Sequence, residues 1–77
     1  MTTTQVESLR DKVAAGDYDI WQAEKAVREV VESGKAAMAE KDYDTARTFF
    51  DAAAAIAQWI QDELRGWERE FQARRLA

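Results

Sequence analysis

Apolar side chains recur every three or four residues along almost the whole chain, the signature of helices that each bury one face. The longest run lies in the C-terminal half, where Ala46, Phe50, Ala53, Ala57, Ile60, Leu64, Trp67 and Phe71 follow the steps 4-3-4-3-4-3-4. A heptad seam held for about three and a half repeats predicts a single long helix over residues 43–75. Phe49, Ile56 and Trp59 widen this seam on one side. A wide apolar face suits two neighbours and a narrow one suits a single neighbour. The first half of this helix is therefore expected to pack against both earlier helices, and the second half against fewer.

Two shorter seams precede it. Val6, Leu9 and Val13 fall at i, i+3 and i+7 and predict a helix over residues 4–15. Ile20, Ala23, Val27, Val30, Gly34 and Ala37 predict a second over residues 18–41. Thr4-Gln5-Val6-Glu7 has the form of a capping box, in which side chains at the start of a helix satisfy its free N–H groups. Gly16-Asp17 reads as a stop followed by the next cap, and Asp42 as the cap of the third helix. The two junctions echo each other: Ala-x-Gly-Asp-Tyr-Asp at residues 14–19 recurs as Ala-x-Lys-Asp-Tyr-Asp at 39–44. In each, one aspartate is placed to accept from helix-start N–H groups while the tyrosine ring packs on the turn. A cation site built on these aspartates would lack the ligand density of a calcium loop. Glycine inside a helix costs about 1 kcal/mol relative to alanine. Gly34 lies on its seam, so its expected role is to let another helix approach closely. The fold class is all-α, a three-helix bundle with a long C-terminal helix in one domain, 1–77.

Gly34, Tyr43, Ala46, Phe50 and Ala53 together resemble a single tetratricopeptide repeat over Val27 to Ile60. In that family a glycine on the first helix faces an alanine on the second, and a Tyr/Phe pair fills the space beside them. Val30, Ser33 and Ala37 depart from the large aromatic, leucine and aromatic the family prefers, and Gln58 stands where a proline ends its second helix. Because such arrays need about three units to bury a continuous core, the resemblance implies a helix-pair geometry and no peptide-binding groove.

The predicted lengths do not match. A helix over 18–41 reaches about 36 Å at 1.5 Å per residue, and one over 43–75 nearly 50 Å. The third helix should therefore overshoot near Leu64 to Gly66, leaving Leu64, Trp67, Phe71 and Leu76 beyond the bundle. An exposed apolar stripe of that kind marks an interaction site. The alternative is a hinge at Gly66 that folds the tail back onto Val6, Leu9 and Val13. At 77 residues, with no cysteine and no histidine, the chain has neither disulfides nor a zinc site to supplement a small core. Self-association supplies the missing burial, so a homodimer is expected.

Charge is divided along the chain. Up to Leu64 there are seven Lys/Arg against thirteen Asp/Glu, and after it four Arg against two Glu, giving an acidic body and a basic tail within the net charge of −4. Arg74 and Arg75 near the helix end complement its dipole and are expected in the protein interface with Leu64, Trp67, Phe71 and Leu76. Asp17, Asp19, Glu40, Asp42 and Asp44 form the candidate acidic surface. The acidic body disfavours nucleic-acid backbones, and the mixed-sign tail disfavours a membrane surface.

Catalytic chemistry has little to work with. Without histidine or cysteine, and with Ser8 and Ser33 lacking an evident base, the residues offer no nucleophile or proton shuttle. Glu63, Glu68 and Glu70 lack the Glu-x-x-His pattern of helical di-metal sites, and three single glycines make no phosphate loop. No catalytic residue, metal ligand or cofactor is expected, and the protein is not read as an enzyme. No segment has the form of a signal peptide or membrane span, so a cytoplasmic location is expected; the Ala-rich, Pro-free character suits a bacterial or phage source. The first functional reading is a small homodimeric protein-interaction module, an adaptor or regulator. The alternative is an acidic inhibitor of the phage type that occludes a nucleic-acid-binding surface of a larger machine. A third is a nucleic-acid binder acting through the C-terminal arginines.

Overall fold

The computed structural model describes residues 1–76, apart from the Leu76 side chain. It is all-α, with three helices among the described residues: α1 (Thr3–Ala14), α2 (Ile20–Ala39) and α3 (Tyr43–Leu76). Helix α2 packs closely against α3, and α1 lies chiefly on α3 and barely touches α2. The molecule is a rod of 55 × 19 × 16 Å.

Local chemistry sets each boundary, in places a residue or two from where the sequence pattern puts it. Helix α1 begins at Thr3 because Thr2 and Gln5 form the capping box: Gln5 N–H donates to Thr2 Oγ1 at 3.1 Å and Thr2 N–H to Gln5 Oε1 at 2.8 Å. This box displaces the expected Thr4/Glu7 box and gains backbone bonds at the helix start. Helix α2 is capped by Asp19 and not by the expected Asp17: Asp19 Oδ1 accepts from Gln22 N–H at 2.8 Å, so the helix starts at Ile20 and not near Tyr18. Asp42 caps α3 as expected, accepting from Thr45 N–H at 3.4 Å.

The two echoed junctions share one backbone solution. After α1, Gly16 adopts φ +84° and Asp17 N–H reaches back to the Lys12 carbonyl at 3.0 Å. After α2, Lys41 adopts φ +61° and Asp42 N–H reaches the Ala37 carbonyl at 2.9 Å. Both are left-handed helix terminators, which glycine enters without steric cost and lysine does not. Lys41→Gly is thus expected to stabilise the protein by about 1 kcal/mol in a denaturant titration. The tyrosines differ. Tyr18, just before its cap, packs beside Val13, Ala23 and Ile56, whereas Tyr43 is the first residue of α3 and stays exposed, against the expectation that both rings cover their turns.

Among the described residues, six of the eleven buried hydrophobics are alanines, so the helices sit close together and few large side chains fill the interior. One cluster joins Val6, Val30, Ala37, Ala46, Phe49, Ala52 and Ala53; the other joins Val13, Ala23 and Ile56. Among the described residues no polar or charged side chain is buried. The ion pairs, such as Arg28–Glu24 at 2.6 Å, lie on the surface, where they add little to stability. The buried face of α2 follows its expected seam, with Ala26 added and Ile20 and Val27 only partly covered. That of α3 is rotated: Phe49, Ala52 and Ile56 are central, while Phe50 is 36% exposed and Ala57 and Ile60 are partly so. The cause is α1, which packs on α3 and brings Val6 and Val13 against the flank treated as a widening of the seam.

Gly34 has the expected role of close approach. A Cβ there would lie 2.8 Å from two Phe50 ring atoms, too near without displacing the ring. Alanine would favour the helix by about 1 kcal/mol, and the ring opposes it. Gly34→Ala is expected to stabilise a Phe50→Ala background and to be less favourable by about 1 kcal/mol or more when Phe50 is present. A double-mutant cycle showing no coupling would contradict this contact.

Candidate protein interface

The outer part of α3 is the exposed apolar site. Helix α3 has 34 residues and α2 has 20, about 51 Å against 30 Å at 1.5 Å per residue. Trp59 and Ile60 are the last partly covered residues, and every residue from Gln61 to Arg75 is exposed. The overhang thus begins about one turn earlier than the predicted Leu64 to Gly66, because α2 is shorter than its predicted span. The helix runs unbroken through Gly66, where an added Cβ would meet nothing within 4 Å, so the tail does not fold back on α1.

Along the overhang, Leu64 is 37%, Trp67 51% and Phe71 63% exposed. Their placement follows from helical arithmetic. Leu64, Trp67 and Phe71 each stand 18 residues after Ala46, Phe49 and Ala53, which are 1%, 3% and 5% exposed. Eighteen residues are about five full turns, so the stripe continues the core face of α3 past the ends of the helices that cover it lower down. Identical periodicity produces a core where α1 and α2 are present and a bare apolar ridge where they stop.

The arginines lie beside this ridge. Arg74 and Arg75 occupy the last turn of α3, where cations complement the helix dipole, and the Arg75 guanidinium sits 5.9 Å from the centre of the Phe71 ring. At the root, Asp62 accepts from Gln58 Nε2 at 3.0 Å and pairs with Arg65 at 3.9 Å. Leu76 belongs to α3, and its side chain lies outside the described residues.

The acidic residues do not gather. Asp17 and Asp19 lie before α2, and Glu40, Asp42 and Asp44 follow it, with about 30 Å of helix between the two groups. All five are exposed. The aspartates Asp19 and Asp42 are engaged as helix caps. Sequence periodicity also passed over one exposed aromatic side chain. Trp21 is 71% exposed, two residues before buried Ala23 and so on the outer side of α2. Met38, Tyr43 and Phe50 are exposed as well. Between α1 and α2 lies an open groove lined by residues that include Leu9, Lys12, Tyr18 and Glu29. No described helix is long and apolar enough to cross a membrane.

No family model, curated protein or solved structure matches this chain.

Proposed function

We propose that the protein is a small non-catalytic interaction module that forms a homodimer through the outer part of α3 and serves as an adaptor or regulator in the cytoplasm. The observation that carries this reading is the ridge of Leu64, Trp67 and Phe71, left open on a helix whose core-facing stripe of Ala46, Phe49 and Ala53 is buried along its inner half. Burying a large apolar side chain is favourable by about 1.5–3 kcal/mol, so three such residues from each copy offset the entropy of association. An inhibitor that occludes a basic channel would use one continuous acidic face, and the separation of the two acidic turns favours the interaction module over it.

Light scattering tests the proposal. The intact protein is expected at twice its 8.8 kDa chain mass. Trp67→Ala combined with Phe71→Ala should return it to the single-chain mass while leaving the helical bundle folded, because neither ring contributes to its interior. A single-chain mass for the unaltered protein at about 100 μM, well above the micromolar range that such burial supports, would refute the reading.

A further inference from the structure

The overhang has a direction in its charge. Residues 61–68 carry Asp62, Glu63 and Glu68 against Arg65, a balance of −2, whereas residues 69–76 carry Arg69, Arg74 and Arg75 against Glu70, a balance of +2. Its root follows Trp59 and Ile60, which pack in one cluster with Tyr18 of the α1–α2 turn that carries Asp17 and Asp19. We propose that two copies pair antiparallel through residues 61–76 alone, each copy's arginine-bearing end lying along the acidic root of the other, with the two bundles at opposite ends of the assembly. This rests on the homodimer reading above and specifies how the ridge is occupied.

Two arguments select this arrangement. The first is steric. The ridge lies on the side of α3 that carries α1 and α2 lower down, and paired helices stand about 8–10 Å apart. A parallel partner seated on the ridge would run its own bundle into the volume already filled by α1 and α2, in a molecule 19 × 16 Å across. An antiparallel partner ends where the bundle begins. Its 16 overhanging residues, about 24 Å, fill the space beyond the α1–α2 turn and no more. The second argument is electrostatic. Antiparallel pairing sets each +2 half on a −2 half and opposes the helix dipoles favourably, while parallel pairing sets like on like and brings two acidic bodies side by side.

Small-angle scattering on the unaltered protein separates the possibilities. Two rods of 55 Å that share about 24 Å give a maximum dimension of about 85 Å at twice the chain mass. A dimer of about 55 Å would overturn the antiparallel overlap and leave the dimer reading standing. A single-chain mass at about 100 μM would overturn both. Charge exchange then tests the complementarity. Arg74→Glu with Arg75→Glu, and separately Asp62→Arg with Glu63→Arg, should each weaken self-association by about tenfold or more. Mixed together, the two variants should recover a heterodimer, since each tail again meets an opposite charge, and that recovery shows that both variants are folded. If the mixture associates no better than either variant alone, the charge pairing is wrong.

Discussion

Phe49→Ala is expected to destabilise the protein by about 3–5 kcal/mol. Phe49 is the largest side chain of its cluster and is 3% exposed; the other buried members are two valines and an alanine of the neighbouring helices, Val6, Val30 and Ala37, and alanines of α3 itself. Removing the ring leaves a cavity that alanine- and valine-lined helices cannot close, at about 3–5 kcal/mol. A domain of this size has about 4–12 kcal/mol in total, so the loss takes a large share of the margin. Thermal denaturation followed by circular dichroism should show the melting temperature lowered by more than about 12 °C, or no folded baseline at all. Retention of the original midpoint would mean that the ring is not structural. The residue five turns later gives the contrast. Trp67 occupies the same side of the same helix, yet its removal is expected to alter the mass of the particle and not the fold of the bundle.

Ile56→Ala is the second large effect, about 2–5 kcal/mol, with a different geography. Ile56 is 1% exposed and is the only large fully buried side chain of α3 in the cluster that holds Val13 and Ala23. That cluster fastens the end of α1 and the beginning of α2 to α3, so its loss should release this end first. Hydrogen exchange should show protection falling around Val13 and Ala23 more than around Val30 and Ala46, which belong to the other cluster. Equal loss of protection at both ends would show that the two clusters behave as a single cooperative unit.

Much of this architecture was legible before any coordinate. Alternating steps of three and four outlined the three helices, the left-handed stop at Gly16 and the cap at Asp42 were readable from residue type, and Gly34 on an apolar seam pointed to a close neighbour. Boundaries were less legible where two caps competed. Thr2 and Thr4 both stand three residues before a Glu or Gln, and only the backbone path shows that Thr2 is used. Lys41 in a left-handed conformation gives no signal in composition; its one sequence clue is the echo of Gly16. Among the candidate interface residues, the apolar ones were legible as a continuation of the heptad, but the gathering of the five acids into one surface was a grouping by charge that the length of α2 separates.

Sequence alone determined that the chain is helical, where apolar residues line up on each helix, and that the final helix is longer than its neighbours, because these depend on spacing and on the residues within a few turns. Only the tertiary structure decided which flank of α3 is the core and where the core ends. A stripe repeating every five turns is chemically alike at Phe49 and at Trp67; whether it is buried depends on the presence of α1 and α2 beside it, and that is a property of how the helices pack.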